Sequence, residues 1–190
     1  MSELRRPDPS LLAEYESSLR RGWSPNNVRP REAAREQLEK IALDPDGFLN
    51  GLEDREAKGP EVVLPDGSLV ARLPSFTRWI WADGFCGSIG FRWQRGTAEL
   101  PSHVLGHIGY AVVPWRRNEG HATAALGALL KEIEPLQLPW VELTTDPENV
   151  ASSKVIEKCG GALIETFEKD MSFGGGTALR WRIKIGAPAP

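Results

Sequence analysis

The stretch VVPWRRNEGHATAAL, residues 112–126, constrains the fold most, because it joins an apolar run to a helical pattern through a polar loop. The preceding run, VLGHIGYAVV at 104–113, has the β-branched and aromatic content of a strand. After the loop, apolar residues recur at helical spacing, at Ala122, Ala125, Leu126, Leu129, Leu130 and Ile133. A strand that leads through a short loop into a helix predicts an α/β protein, with its chemistry where the sheet meets the helix.

Two helices are predicted before this junction. Asp8 followed by Pro9 is typical of a helix start, and apolar residues then recur at helical spacing as far as Gly22. A second pattern, marked by Leu38 and Ile41, predicts an amphipathic helix that ends before the turn-like segment DPDG at 44–47.

From Glu61 onward the pattern changes to short strands separated by turns. Asp66-Gly67 and Asp83-Gly84 predict two hairpins. Further along, the chain predicts a strand after Pro139, a short helix from Asn149, and two strands at about 162–169 and 177–185. This order predicts one mixed central sheet, mostly antiparallel, flanked by about four helices. Four tryptophans in the strand-like segments are expected to build the core: Trp79, Trp81, Trp93 and Trp181.

The composition restricts the class of protein. A chain of 190 residues is expected to form a single domain, residues 1–190, with 186–190 as a frayed tail. The net charge of −3, with both signs interspersed, argues against a nucleic-acid partner, and no run approaches the roughly 18 apolar residues of a membrane span. Cys86 and Cys159 lack metal-ligand spacing and are interpreted as reduced thiols, so we expect a cytoplasmic protein without a metal.

The loop before the third predicted major helix has the features of an anion site. A helix N-terminus presents unpaired backbone N–H groups and a positive dipole end, which together favour phosphate. Gly120 and Ala122 leave the backbone accessible, and Arg117 supplies charge in the pattern Arg-x-x-Gly-x-Ala. By itself this spacing is equally typical of an ordinary helix start with solvated arginines. A nucleotide-binding loop of the Gly-Lys-Ser/Thr type is excluded because those residues are missing.

Two ordered segments resemble the conserved motifs of the GNAT superfamily of acyl-CoA N-acyltransferases, and of its bacterial predicted-acetyltransferase branch. In GYAVVPWRRNEGHATAALGALL the matching positions are Val112, Pro114, Arg117, Gly120 and Ala122. In VELTTDPENVASSKVIEKCGGALIE they are Asn149, Ser152, Lys154, Glu157 and Gly160. The resemblance covers roughly residues 85–185 and extends to the first 80 residues only in their general helical layout.

The resemblance implies acetyl-CoA as cofactor and an N-acetyltransferase that transfers the acetyl group to a primary amine in a ternary complex. The amine would be a small molecule or a peptide, and a homodimer is left open. The pyrophosphate would lie on the backbone amides from Arg117 to Thr123, and the pantetheine arm would pair with strand residues Val112 and Val113. The expected cofactor-binding residues are Val112, Val113, Arg117, Asn118, Glu119, Gly120, His121, Ala122, Thr123, Asn149 and Ser152.

The catalytic groups are less well defined by the sequence. Many family members have a Tyr seven residues after the motif Asn, and here that position is Ile156. Tyr110 lies on the relevant strand but is interpreted as core. His107 is the preferred base because its ordinary pKa is near 6.5, with Glu142 and Glu119 as rivals, although a structural histidine fits equally well. The missing Tyr keeps a second hypothesis open, a non-catalytic acyl-CoA-binding module. The acceptor pocket is expected near Trp23, Asn26 and Asn27.

Overall fold

The computed structural model describes residues 2–64 and 66–185, so the predicted tail at 186–190 lies outside the described residues. Within those two ranges the chain forms a mixed α/β fold with five α-helices and ten strands. The helices are α1 Leu12–Arg20, α2 Pro30–Leu43, α3 Pro45–Gly51, α4 His121–Ile133 and α5 Val150–Lys158. The strands are β1 Glu3–Arg5, β2 Glu53–Asp54, β3 Val62–Val63, β4 Leu69–Val70, β5 Ser75–Trp81, β6 Phe85–Arg92, β7 Ile108–Val112, β8 Trp140–Thr145, β9 Ala162–Glu168 and β10 Thr177–Lys184.

The strands form two main sheets, where the sequence predicted one. The first has the order β1-β5-β6-β7, with β2 also paired to β5, and the second has the order β8-β10-β9. All pairings recorded for the described strands are antiparallel, and both predicted hairpins, β3–β4 and β5–β6, are present. The predicted mixed α/β class with mostly antiparallel strands is confirmed, and backbone pairing divides the strands into two main sheets that meet between β7 and β8.

Backbone contact between the two sheets occurs just before β7, at His107, in a region that we call the junction. The backbone N–H of His107 donates to the carbonyl of Glu142 at 2.8 Å, and the Glu142 N–H donates back to His107 Nδ1 at 3.0 Å. Gly106 favours this approach, because a Cβ there would lie 3.1 Å from the Glu142 carbonyl oxygen, closer than an ordinary contact. No backbone pairing joins β7 to β8 beyond the junction among the described strands, so one edge of β7 is open.

The core consists of two apolar clusters that lie on opposite faces of the first sheet. On one face, residues of α1 and α2 pack on Trp79, Trp81 and Val113. On the other face, the apolar stripe of α4 packs on both sheets, so residues of the two sheets share this second cluster. Trp79, Trp81, Trp93 and Trp181 are all buried, which confirms their predicted role in the core.

Local sequence signals explain most of the boundaries. Asp8 caps the first helical turn by accepting from the Ser10 N–H, as predicted. The segment DPDG does end α2, but it also starts α3, because Asp44 caps the Gly47 N–H and Pro45 fits the first helical turn. The predicted strand at 104–113 is shorter, since only residues 108–112 pair with β6. Strand β1 has no clear signal in the sequence.

Candidate functional site

A groove of about 510 Å³ lies at the open edge of β7, between that strand and the N-terminal ends of α4 and α5. It contains nine of the eleven residues predicted to bind the coenzyme: Val112, Arg117, Asn118, Gly120, His121, Ala122, Thr123, Asn149 and Ser152. Eight residues outside the predicted set also line it, namely Asn27, Tyr110, Ala111, Arg116, Ala151, Lys154, Val155 and Lys158. The two motifs, about 30 residues apart in the sequence, therefore meet in one cavity.

The N-terminus of α4 lacks a side-chain cap. Gly120 occupies the cap position with φ of +80°, in the left-handed region where a side chain is strained, and a Cβ there would project into open space. Asn118 is also left-handed, with φ of +65°, so the loop turns sharply before the helix. The first N–H groups of α4 are therefore available to an anion, and the positive end of the helix dipole favours one.

The groove has an excess of positive charge. Arg116, Arg117, Lys154 and Lys158 line it, and its lining includes no Asp or Glu. Arg116 pairs with Glu119 at 2.9 Å, whereas the other three form no ion pair with any described residue. Three uncompensated cations beside an uncapped helix N-terminus are suited to a phosphate group.

The open edge of β7 presents only alternate residues, which corrects one prediction. The N–H of Val113 donates to the Cys86 carbonyl, and the His107 carbonyl accepts from Arg92, so the odd-numbered residues pair with β6. The backbone groups of Ile108, Tyr110 and Val112 consequently face the open edge. Val112 is available to an amide-bearing ligand, but Val113 is fully buried and its N–H is already used.

Helix α5 closes the far side of the groove. Asn149 caps this helix by accepting from the Ser152 N–H at 3.1 Å. Tyr110 crosses from β7 to the same helix, where its hydroxyl donates to the Ser152 carbonyl at 3.4 Å. Burial raises the pKa of Tyr110 to about 12, so the hydroxyl stays protonated near neutral pH. Tyr110 therefore lines the groove and is not merely a core residue.

His121 and Glu119 form part of the support of this loop. His121, an expected cofactor-binding residue, lines the groove but is largely buried, and its ring bonds to Ser2 Oγ through Nδ1 and to Glu119 Oε2 through Nε2. The Glu119 carboxylate also accepts from Arg116. Glu119 itself lies outside the groove lining, so its carboxylate stabilises the loop through Arg116 and His121 instead of facing the ligand.

His107, the preferred base, lies in the junction and is completely buried. Its Nδ1 accepts from the Glu142 N–H, and its ring stacks on Phe91 and meets Trp140 edge to face. Burial lowers the pKa of His107 to about 4, although the Ala98 carbonyl opposes that effect. The ring does not line the groove, so its position supports a structural role over that of a base.

Glu142, the rival base, is also held in a structural contact. One carboxylate oxygen accepts from Arg182 Nη2 at 2.6 Å and from Nε at 3.1 Å. The Arg182 guanidinium in turn lies over the Trp140 ring, 3.7 Å from its centroid. Glu142 does not line the groove, so neither predicted base faces the groove.

The remaining chemical features are simple. Both cysteines are free thiols, and Cys86 is buried. Within residues 2–64 and 66–185 there is no cluster of three or more side chains suited to a metal ion. No helix in the same ranges is long and apolar enough to cross a membrane.

The family model described as acetyltransferase (GNAT) domain matches residues 3–162. This match extends over most of the sequence and includes the groove residues of β7, α4 and α5. The chain therefore belongs to the GNAT acetyltransferase family. No curated protein sequence matches it at a significant level.

Solved structures share the fold at low sequence identity. The microcin C7 self-immunity acetyltransferase MccE, in complex with acetyl-CoA and AMP, has a TM-score of 0.66 and 12% identity, over 97% of this chain and 92% of that chain. The ribosomal L7/L12 α-N-protein acetyltransferase RimL, in complex with coenzyme A, has a TM-score of 0.61 and 13% identity, over 97% and 94%. A GNAT-family acetyltransferase from Bacillus anthracis has a TM-score of 0.60 and 19% identity, over 96% and 94%.

Proposed function

We propose that this protein is an acetyl-CoA-dependent N-acetyltransferase that transfers the acetyl group to a primary amine by direct attack in a ternary complex. The observation that carries the proposal is the uncapped N-terminus of α4, which opens into a basic groove at the free edge of β7. MccE and RimL, which share the fold, were solved with acetyl-CoA and with coenzyme A respectively.

Different residues of the groove bind different parts of the coenzyme. The amides at 120–123 hold the pyrophosphate, with Arg117, Lys154 and Lys158 nearby to neutralise its charge. The backbone groups of Val112 and Tyr110 pair with the amides of the pantetheine arm, as a neighbouring strand would. This arrangement places the thioester along β7, towards Ile108 and the junction.

In the transfer step, the amine nitrogen attacks the thioester carbonyl. A C–N bond forms, the C–S bond breaks, the nitrogen loses a proton, and the CoA thiolate gains one. A backbone N–H on the open edge of β7 stabilises the developing oxyanion. The loss of Val113 as a donor leaves Val112 and Tyr110 for this role.

Tyr110 is the proton donor to the departing thiolate in this proposal. Ile156 occupies the position of the usual Tyr on α5 and is fully buried, so α5 cannot supply the acid there. The Tyr110 hydroxyl reaches α5 from the opposite side of the groove and is protonated near neutral pH. The proton of the amine goes to water, because the positions of His107 and Glu142 do not favour either as base, and water then returns a proton to the Tyr110 phenolate.

A second function, a non-catalytic acyl-CoA-binding module, is supported by Ile156 and by the lack of a predicted base in the groove. Calorimetry with acetyl-CoA and a thiol-release assay across a panel of amines and peptides test both functions. Binding at micromolar concentrations with release of free CoA supports the transferase. Binding without thiol release across the panel supports the module, and no binding overturns both.

A further inference from the structure

A second cavity, of about 420 Å³, lies on the face of the first sheet opposite α4 and α5. Its floor is formed by the ends of β5 and β6, including Thr77, Gly90 and Arg92. The β3–β4 hairpin and Phe173, from the segment before β10, form its apolar walls.

A strip without bulky side chains links this cavity to the coenzyme groove. Gly90, on the cavity floor, pairs directly with Gly109 of β7, so both present the same face of the sheet. A Cβ on Gly109 would meet nothing within 4 Å, and one on Gly90 would make only ordinary contacts, the nearest at 3.7 Å. Ala111, two residues further on the same face, already lines the coenzyme groove. A ligand in the cavity can therefore reach β7 beside the thioester.

The cavity is positively charged. Arg72, Arg92 and His103 line it, and its lining includes no Asp or Glu. Arg72 is engaged, since its Nε donates to the Pro60 carbonyl and lies 4.0 Å from Asp54. Arg92 is exposed to the cavity and has no ion pair or side-chain hydrogen bond with any described residue.

We propose that this cavity binds the acceptor, and that the acceptor is an amino acid or short peptide whose carboxylate pairs with Arg92 and whose apolar part packs on the hairpin and Phe173. Arg92 lies two residues from Gly90 on the same face of β6, about 7 Å along the strand, so its side chain begins close to the Gly90–Gly109 strip. An α-amine also suits the site chemically. The N-terminal α-amine of a peptide has an ordinary pKa near 7.8, so a much larger fraction of it is neutral at pH 7 than of a lysine-like amine, whose ordinary pKa is near 10.4. This inference rests on the proposed acetyltransferase function.

The test compares acceptors whose terminal carboxylate is present or amidated: L-leucine against L-leucinamide, and the dipeptide Leu-Gly against its C-terminal amide. The dipeptide pair is the cleaner comparison, because its carboxylate is remote from the amine and amidation changes the pKa of that amine little. The readout is kcat/KM for thiol release at saturating acetyl-CoA. We expect at least one acid to be preferred over its amide, and Arg92→Gln to reduce that preference about 10- to 100-fold. Arg92→Lys should restore part of it. Arg95→Gln is the matched control, because Arg95 is exposed on the following loop outside the cavity lining and should retain the wild-type ratio.

The outcomes separate this inference from the proposed function. If acetyl-CoA binds but the acids are no better than the amides, or are not acetylated at all, the acceptor class is wrong and the coenzyme assignment stands. An unchanged acid-to-amide ratio in Arg92→Gln, with an unchanged melting temperature, also overturns the role of Arg92. Failure of the wild-type protein to bind acetyl-CoA overturns the proposed function instead.

Discussion

The two alternating sets of residues along β7 have different surroundings. Ile108, Tyr110 and Val112 direct their backbone groups to the open edge, and their side chains towards α4 and α5. His107 and Val113 direct their backbone groups to β6, and both residues are completely buried. In the first set, Tyr110 and Val112 line the coenzyme groove. In the second set, His107 contacts the other sheet, and only the small residues Gly109 and Ala111 are accessible.

This difference separates chemistry from stability within one strand. Changes on the groove side should alter coenzyme binding or turnover with little effect on folding. Changes at the junction should alter stability and leave coenzyme affinity almost unchanged. Variants on the two sides of β7 can therefore show whether a residue contributes to coenzyme binding and turnover or to stability.

The largest effect is expected for Gly120→Glu. Gly120 lines the groove and a Cβ there meets nothing within 4 Å, so a carboxylate at this position would lie beside the proposed pyrophosphate site. Repulsion between charges about 4 Å apart costs about 4 kcal/mol near a protein surface, so CoA affinity should fall about 1000-fold. Isothermal titration calorimetry with CoA measures this change.

Gly96→Glu is the matched control for that variant. Gly96 has φ of +77° and open space at its Cβ position, like Gly120, but it lies outside the groove. Both variants should lose about 1 to 2 kcal/mol of stability from backbone strain. If CoA affinity falls equally in both, or in neither, the phosphate site is not at the α4 N-terminus.

The next effect concerns His107 and acid stability. Burial lowers the pKa of His107 to about 4, against 6.5 when the chain is unfolded. Between these two values the unfolded state binds more protons, so the free energy of unfolding should fall as the pH decreases from about 6.5 to 4, by about 3 kcal/mol in total. Urea unfolding at pH 7.0, 5.5 and 4.5 measures the slope.

His107→Asn should remove this slope, because Asn keeps an acceptor for the Glu142 N–H but does not titrate in this range. His103→Asn, at a loop histidine that is not buried, should retain the wild-type slope. Coenzyme affinity at pH 7 should be unchanged in both variants. A wild-type slope in His107→Asn would show that another group controls acid stability.

The sequence was informative where chemistry is local to a motif. The spacing of Arg117, Gly120 and Ala122 predicted the start of α4, and Asn149 predicted the start of α5. Both are local signals, because helix caps and left-handed positions depend on neighbouring residues. It could not show which residues face the open edge, since that depends on pairing with β6. It likewise gave no indication that His107 would be enclosed by Phe91 and Trp140, which come from strands distant in sequence.

Tyr110→Phe tests the groove side directly. If its hydroxyl protonates the departing thiolate, kcat should fall about 100-fold, the lower end of general acid catalysis, while CoA affinity stays within about twofold. Tyr15→Phe is the control, because the Tyr15 hydroxyl donates to Gln37 in the opposite cluster and should not affect kcat. Retention of wild-type kcat in Tyr110→Phe would leave the thiolate to be protonated by water.

The smallest effect is expected for Glu142→Gln, which distinguishes a junction residue from a base. The Gln oxygen can still accept from Arg182, so the variant loses mainly the charge attraction. Because the Arg182 side chain is about one-third exposed, at 35%, solvent screens that attraction, and we expect a stability loss of about 1 kcal/mol. Glu165→Gln, which removes a more exposed pair with Arg180 on the same sheet, should cost less.

Once an acceptor has been identified, kcat of both variants should remain within about twofold of wild type. A fall of 100-fold or more in Glu142→Gln alone, at unchanged melting temperature, would instead identify Glu142 as the base, since general base catalysis contributes about that much.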